Sequence, residues 1–423
     1  MAKERIIVGI DVGSSKIANV VASSTPEGNL TVIGVATVPA KGIRKGQVVD
    51  IDEAVSSMTE CLEQSERMAG VSINSAFVSV GGSHISSVNS RGVVAVAGGE
   101  NEITDEDVQR VIEAARAISI PSSREIIHVI PRDFVVDSQE GIKDPVGMTG
   151  VRLEVETHII SGAATSIRNL VKCVQQMGVD VEGLVFSGVA AAESTLTDTE
   201  KELGVALIDI GGGTTDIAPF VDGSIAHSVV IPIGGKNITN DLAIGLRSSL
   251  ETAEKIKISL SVQPKKVEVD DEKPREKDDV LDISKLGLTE DLGTLSRKTL
   301  LDGIIKPRLT EIFTLVGMEI KRSGFAGLLP AGLVITGGGA KTIGIEAVGK
   351  EVLRMPVRVA QPSGISGIIE EISTPEYAAS VGLLLYGNKI SEEVSGISLP
   401  IGRGIFSAHS VKRLVSWLRS FLP

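Results

Sequence analysis

A glycine-rich loop of similar composition occurs twice in the sequence, each time after an apolar run that ends in an aspartate. The first copy comprises Asp11, Gly13, Ser14, Ser15 and Lys16. The second comprises Asp209, Gly211, Gly212, Gly213, Thr214 and Thr215. Each copy predicts a β-hairpin turn whose backbone N–H groups and hydroxyls point into one small volume, which suits a phosphate group. Because carboxylates repel phosphate, we expect Asp11 and Asp209 to hold a magnesium ion through its water molecules.

The duplication favours a binding site over two ordinary turns. A single run such as Gly211–Gly213 is also typical of plain glycine-rich hairpins. Two copies, one near the start and one near the middle of the chain, predict two similar domains that close on one nucleotide from opposite sides. A third cluster, Gly337, Gly338 and Gly339, follows the apolar strand LVIT. Ligands bind at the carboxyl ends of strands in α/β sheets, so we expect this third loop to contact adenosine.

Two lysines lie close to these glycines and bring positive charge. Lys236 follows Gly234 and Gly235, and we expect its ammonium group to reach the nucleotide. The sequence alone leaves two roles open for Lys16. It supplies charge to the phosphates, or it lies on an edge strand and faces water.

The composition is that of an α/β protein with an aliphatic core. The chain has 423 residues, enough for two or three domains, and is 42% hydrophobic but only 3% aromatic. A net charge of −12 argues against nucleic-acid binding, which needs clustered Lys and Arg. Two cysteines give no disulfide framework, and no apolar run is long enough to span a membrane. We therefore expect a soluble cytoplasmic protein.

Apolar periodicity and turn residues divide the rest of the chain into elements. We predict helices over 52–68, 104–117, 165–177, 294–322 and 375–387, and a long helix that follows the segment 232–243 and runs through Leu246 to about Ser259. Strands at 126–137 and 151–162, joined by a loop at 138–150, belong to a predicted α+β subdomain inserted at 84–160. The charged segment 262–283 is predicted to be an exposed hairpin or loop.

The order of these motifs resembles the superfamily of actin, sugar kinases and heat-shock chaperone ATPases. Within it, the segments 130–137, 144–160, 160–179 and 232–243 are similar to the bacterial cell-division family FtsA. The resemblance implies an α/β, actin-like two-lobed ATPase fold, with duplicated ribonuclease H-like domains and an inserted α+β subdomain. It also implies ATP and Mg²⁺ as ligands.

The same resemblance implies a division of the chain. The first lobe core (1A) comprises 1–83, completed by 161–195 and 362–390, and the inserted subdomain (1C) comprises 84–160. The second lobe core (2A) comprises 196–235 and 307–361, and the outer subdomain (2B) comprises 236–306. A linker at 391–407 and an amphipathic helix at 408–423 complete the chain.

Further site residues follow from the likeness to chaperone ATPases. Glu254 and Lys257, on one helix face, would reach the ribose and base, although a solvated ion pair explains them nearly as well. Ser187 stands where chaperone ATPases place a glutamate near the attacking water. Because serine orients water poorly, we expect at most slow ATP hydrolysis, with the nucleotide acting mainly as an assembly ligand.

The end of the chain carries the pattern of a membrane-surface helix. At 100° per residue, one arc holds Val411, Leu414, Val415, Trp417, Leu418, Phe421 and Leu422. The opposite arc holds the cationic residues Lys412, Arg413 and Arg419. An apolar face opposite a cationic face predicts binding to an anionic membrane surface, and docking on a protein surface is the alternative.

The FtsA resemblance implies a protein that assembles into filaments and tethers the tubulin-like division protein FtsZ to the inner face of the cytoplasmic membrane at the division site. Expected partners are the C-terminal tail of FtsZ on 2B, further copies of the chain, anionic lipid and other division proteins. A PilM-like pilus-assembly protein or a small-molecule kinase of the same superfamily are the alternatives. The C-terminal helix argues against the first, and a kinase needs a carboxylate base in the cleft.

Overall fold

The structure is a computed structural model that describes residues 5–25, 27–97, 101–261, 279–283, 286–288, 290, 292–368 and 370–396, the last six by their backbone alone. Most of the charged segment 262–283, the predicted linker beyond Gly396 and the predicted helix at 408–423 lie outside the described residues. Within the described ranges, no helix is both long and apolar enough to cross a bilayer.

The chain begins with a mixed sheet around the first glycine loop. Its elements are β1 (Arg5–Val12), β2 (Lys16–Ser24), β3 (Leu30–Pro39), β4 (Ile43–Arg44), β5 (Gln47–Val48), α1 (Ile51–Ala69) and β6 (Ser75–Val80). β1, β2 and β3 are antiparallel neighbours, and β6 is parallel to β1. The first loop therefore connects two central strands of the sheet.

The inserted segment forms its own sheet with one helix packed on it. It comprises β7 (Ser86–Ala95), α2 (Asp105–Arg116), β8 (Arg124–Val136), β9 (Gln139–Ile142) and β10 (Arg152–Ala163), in the sheet order β7-β10-β8-β9. The short strand β9 lies in the predicted loop 138–150, which is therefore wrong in part. Asp137 and Ser138 both have positive φ, at 45° and 80°, and form the tight turn that pairs β9 with β8.

The remaining elements complete the first sheet and build a second. They are α3 (Ala164–Gln176), β11 (Asp180–Phe186), α4 (Ser187–Thr195), α5 (Asp198–Leu203), β12 (Val205–Ile210), β13 (Thr215–Val221), β14 (Ser224–Ile225), β15 (Val229–Ile231), α6 (Gly235–Leu246), α7 (Leu250–Ser261), β16 (Val280–Leu281), β17 (Leu295–Ser296), α8 (Arg297–Leu300), α9 (Lys306–Ser323), β18 (Leu333–Thr336), α10 (Ile345–Leu353), β19 (Val357–Val359), β20 (Ser366–Gly367) and α11 (Ala378–Gly396). A π-helical turn, Leu301–Ile305, joins α8 to α9.

The two large sheets repeat one arrangement. The first has the order β11-β6-β1-β2-β3-β20, and the second has β14-β13-β12-β18-β19 with β15 beside β13. In each, the antiparallel hairpin that carries a glycine loop lies next to a pair of parallel strands. The third cluster, Gly337–Gly339, follows β18, which is the counterpart of β6. Both hairpin loops and the third loop therefore lie at equivalent edges of the two sheets.

Two helices with small residues cross next to the lobe boundary. An added Cβ at Gly382 of α11 would lie 1.7 Å from the carbonyl oxygen of Ala190 in α4. Only glycine allows this approach of two backbones, so Gly382 sets the distance between α4 and α11.

Three predicted helix boundaries are wrong. The predicted helix through Leu246 to Ser259 is two helices, because Arg247 adopts a left-handed conformation (φ 54°) and Ser249 caps the second one. The predicted helix at 294–322 begins at Arg297, since Leu295 and Ser296 pair with β16. α11 continues to Gly396, so residues 391–396 of the predicted linker are helical.

The inserted subdomain is hydrogen-bonded to the second lobe. His158 of β10 contacts the Ser228 hydroxyl at 3.0 Å through Nε2 and the Asn89 side-chain oxygen at 2.6 Å through Nδ1. Asn89 also donates to the carbonyl of Ala226 at 3.3 Å. Burial lowers the pKa of His158 to about 3, so its ring is neutral at pH 7. The insertion therefore contacts the loop between β14 and β15. Both of these strands pair with β13, the strand that follows the second glycine loop.

The helix crossing predicts that Gly382→Ala lowers the free energy of unfolding by about 1–3 kcal/mol, because the added methyl group meets backbone that cannot rotate away. Chemical denaturation measures this change. Gly303→Ala is the control, since an added Cβ there meets nothing within 4 Å. An equal effect of the two substitutions would contradict the packing described for α4 and α11.

Candidate functional site

The two glycine loops touch each other across the boundary between the lobes. An added Cβ at Gly212 would lie 1.9 Å from the Ser15 hydroxyl oxygen, and one at Gly213 would lie 3.1 Å from the Ser14 side chain. Side chains at either glycine would push the lobes apart. The structure therefore brings the two predicted phosphate loops, Gly13–Ser15 and Gly211–Thr214, into one place.

Lys236 connects both loops. Its backbone N–H donates to the Gly212 carbonyl at 2.8 Å, and its ammonium group donates to the Ser14 carbonyl at 2.6 Å. The residue lies in the first turn of α6, directly after Gly235, whose N–H donates to the Gly211 carbonyl. Burial lowers the pKa of Lys236, while the nearby Glu254 raises it. Lys236 thus places a cation where the two loops meet.

The two aspartates of the loops are partly buried and close enough to interact. Asp11 accepts hydrogen bonds from the hydroxyls of Ser79 at 2.7 Å and Ser380 at 3.3 Å. Burial raises the pKa of Asp11, and burial together with the Asp11 charge raises the pKa of Asp209. A carboxylate whose pKa is raised by the charge of a neighbouring carboxylate is stabilised by a cation between the two. Among the described residues no group of three or more His, Cys, Asp or Glu is arranged to hold a metal directly.

A third carboxylate, Asp216, was missed at the sequence level. It is paired with Asp209 across the β12–β13 hairpin and is 5% exposed. Its Oδ1 atom has no hydrogen-bond partner among the described residues, and burial followed by the charges of Asp209 and Asp11 raises its pKa well above the ordinary value. The available signal was an aspartate inside a strand, TDIAPFV, whose other residues are nearly all apolar.

Ser187, which the sequence comparison places at the position of a water-orienting glutamate, lies close to Asp216. An added Cβ at Gly81 would be 3.1 Å from the Ser187 hydroxyl and 3.9 Å from the Asp216 carboxylate. Ser187 begins α4 and therefore lies at the carboxyl end of β11, on the same edge as the glycine loops.

The third glycine loop packs against the second. Gly337 has φ 83°, and an added Cβ would lie 2.1 Å from the Asp209 carboxylate. Gly339 packs on Ile210, and its Cα is 3.7 Å from the Cβ position of Gly235. The predicted adenosine loop is therefore contiguous with the predicted phosphate loop, and Gly338 lies between these two contacts.

Glu254 and Lys257 form the ion pair that was the alternative interpretation, at 2.7 Å. The pair is solvated on one side only, because the Glu254 side chain is 44% exposed whereas the Lys257 side chain is 14% exposed and also donates to Thr239 at 2.9 Å. Lys257 Nζ is 4.0 Å from the Cβ position of Gly235. Both residues therefore lie beside the second and third loops.

Lys16 is not on an edge strand, since β2 lies between β1 and β3. That interpretation is wrong. Its ammonium group is buried next to Tyr377. Of the predicted site residues, only the membrane set at 411–422 lies outside the described residues.

Comparisons with known proteins agree with this architecture. Residues 206–382 match the family described as cell division protein FtsA, and residues 82–161 match the SHS2 domain inserted in FtsA. The cell division protein FtsA of Pseudomonas aeruginosa is 39% identical, over 98% of both chains. Those of Borreliella burgdorferi and Escherichia coli are 42% and 35% identical, over 90% and 98% of both chains. The chain belongs to the FtsA family.

Solved structures show that this FtsA family member has the actin-like ATPase fold. The PilM–PilN type IV pilus biogenesis complex matches with a TM-score of 0.63 and 16% identity, covering 90% of this chain and 98% of that chain. MreB5 of Spiroplasma citri bound to ADP matches with a TM-score of 0.52 and 15% identity, covering 92% and 98%. At these identities the likeness concerns the fold alone.

The contact between the second and third loops predicts that Gly337→Ala lowers stability more than a Gly→Ala substitution at another positive-φ glycine that has free space around it. The added Cβ meets the Asp209 carboxylate and the Ile210 carbonyl, in addition to a backbone cost of about 1–3 kcal/mol for a non-glycine residue at φ 83° and ψ 170°. Gly141→Ala is the matched control, because Gly141 has φ 80° and no atom within 4 Å of its Cβ position. Equal losses in denaturant midpoint would show that the Asp209 contact contributes nothing.

Proposed function

We propose that this FtsA family member is an actin-like, ATP-binding cell-division protein that polymerises and anchors FtsZ filaments to the cytoplasmic membrane. The single observation that carries the nucleotide part is the contact of the two glycine loops, one from each lobe, with Lys236 hydrogen-bonded to both. Two loops rich in backbone N–H groups and hydroxyls, with a cation between them, are what a polyphosphate needs from opposite sides.

The bound ligand would be ATP with Mg²⁺. Residues of the two loops hold the phosphates, and Glu254, Lys257 and the third loop contact adenosine. Asp11 and Asp209 hold the magnesium ion through its waters, which is supported by the rise of the Asp209 pKa caused by burial and by the nearby Asp11 charge. When bound, Mg²⁺ neutralises phosphate charge and lowers the repulsion between these carboxylates.

Hydrolysis is proposed to be slow, so that the nucleotide acts mainly on assembly. Ser187 offers a neutral hydroxyl where a charged acceptor orients water in faster enzymes. The neighbouring carboxylate, Asp216, has a pKa held well above its usual range by burial and by the charges of Asp209 and Asp11, which favours its neutral form.

The tail of FtsZ is proposed to bind the outer part of the second lobe, 236–306. Ile244, Leu250 and Ile258 are apolar and 77%, 59% and 55% exposed there, and Lys298 adds an exposed cation. Arg308, a cation just beyond this part of the chain, forms a bidentate ion pair with Asp241 and also contacts Glu311. We therefore leave Arg308 out of this surface.

The membrane part of the proposal is supported by the sequence pattern at 411–422, with one apolar and one cationic face. Attachment by this helix would place the protein at the cytoplasmic face of the membrane, at the division site. Filaments of the chain, and contacts with other division proteins, would multiply the weak binding of single helices. Family membership supports the division role, whereas the likeness to PilM is limited to the fold.

We expect Asp209→Ala to weaken ATP binding about tenfold or more in the presence of Mg²⁺, because the carboxylate acts through the metal's waters. Isothermal titration measures the Kd. Addition of EDTA should bring the Kd of the unchanged chain close to that of the variant. Asp302→Ala, at an exposed aspartate of the same lobe, is the control. Unchanged affinity of Asp209→Ala would remove this residue from the site.

We expect the full chain to co-sediment with vesicles containing anionic lipid and a chain truncated after Gly404 to stay in the supernatant. Leu418→Glu and Ser416→Glu add the same charge to the two faces of the predicted helix. The first should lose binding almost completely, because burial of one leucine contributes about 2 kcal/mol, and the second should lose less. Equal binding by the full and truncated chains would refute the anchor.

A further inference from the structure

Lys16, directly after the first glycine loop, holds its ammonium group against an aromatic ring. Its Nζ atom is 3.5 Å from the centroid of the Tyr377 ring. The same atom is buried and has no hydrogen-bond partner among the described residues. All three N–H groups of this cation are therefore uncommitted to protein acceptors within the described chain, in a position that adjoins the predicted phosphate loops.

A buried ammonium group without acceptors is unfavourable unless something compensates it. Burial lowers the pKa of Lys16, and the charges of Asp11 and Glu376 oppose this effect. No ion pair of Lys16 occurs among the described residues, so these carboxylates act at a distance rather than by contact. The face of the tyrosine ring supplies the direct contact, since its quadrupole attracts a cation most strongly when water is excluded.

The orientation of the ring is set from two sides. The Tyr377 hydroxyl is hydrogen-bonded to the Thr37 hydroxyl at 3.0 Å, which ties the ring to β3 beside the strand that carries Lys16. The residue ends the 3₁₀ turn Pro375–Tyr377, and the Pro375 carbonyl accepts the N–H of Gly337 at 3.0 Å. The ring is therefore held between the first phosphate loop and the third glycine loop.

We propose that Tyr377 is a positioning residue for nucleotide binding, which keeps the ammonium group of Lys16 beside the first loop with its N–H donors available to phosphate oxygens. An aromatic face stabilises the cation without taking its donors. A carboxylate in the same place would form an ion pair and compete with the phosphate. This inference rests on the proposed binding of ATP, and it requires that Lys16 stays on the ring when ATP binds.

The test varies the ring's attraction for a cation while its shape is kept. ATP affinity of the full chain is measured by isothermal titration for Tyr377→Phe and for phenylalanine analogues with one, two and three ring fluorines at position 377. Fluorine withdraws electrons from the face, so we expect Kd to rise step by step, by about fivefold across the series. Thr37→Val removes the same hydrogen bond as Tyr377→Phe while keeping the ring, and both should stay within about twofold of the unchanged chain.

The dependence on Lys16 separates positioning from a structural role. In a Lys16→Met background the Kd should not change across the same series, because the cation that interacts with the ring has been removed. Unfolding midpoints recorded for each variant identify any that fails to fold, and the fluorinated series avoids that outcome because its side chains are nearly isosteric.

Each other result overturns the inference. A flat series with lysine at position 16, or a slope that survives Lys16→Met, would show that Tyr377 does not act through Lys16. Stronger ATP binding with fluorination would show that the ammonium group leaves the ring on binding. If the unchanged chain binds no ATP, the proposed function itself fails and the inference fails with it. If the unchanged chain binds ATP but the Kd does not change across the fluorinated series, the inference about Tyr377 fails while the proposed function stands.

Discussion

The structure depends on one close approach, between two glycine loops that belong to different lobes. Gly212 lies so near Ser15 that any side chain would separate the lobes, and Lys236 joins the loops by hydrogen bonds to both. The His158–Ser228 contact holds the inserted subdomain against the second lobe at another point. Each of these contacts needs a small side chain or a specific polar pair, so the lobe arrangement is specified at separate points.

Buried charge gives this boundary its chemical character. Asp11 and Asp209 are partly buried carboxylates, Asp216 is a buried one, and burial raises the pKa of each. Lys16 and Lys236 are the nearby cations, and burial lowers their pKa values. Such an arrangement is costly for folding alone, since apolar side chains would pack there at a lower cost. A polyphosphate with its metal ion would supply the missing counter-charges, which explains why the costly arrangement suits a nucleotide.

Sequence patterns predicted most of the fold but only part of the site. The glycine loops and most of the helices followed from local spacing, whereas the break at Arg247 depends on a single left-handed residue and the strand β9 on the turn at Asp137 and Ser138. Asp216 and Tyr377 were missed because their roles come from residues distant in the chain, Asp209 across a hairpin and Lys16 across the sheet. Pairings of that kind carry no local period or motif, so only the tertiary structure reveals them.

The central claim is that both glycine loops bind the phosphates of one nucleotide. A crystal structure of the full chain with Mg²⁺ and a non-hydrolysable ATP analogue tests it most directly. We predict phosphate oxygens within about 3.2 Å of backbone nitrogens from both Gly13–Ser15 and Gly211–Gly213. Phosphates held by one loop alone, or a nucleotide bound away from the lobe boundary, would contradict the account.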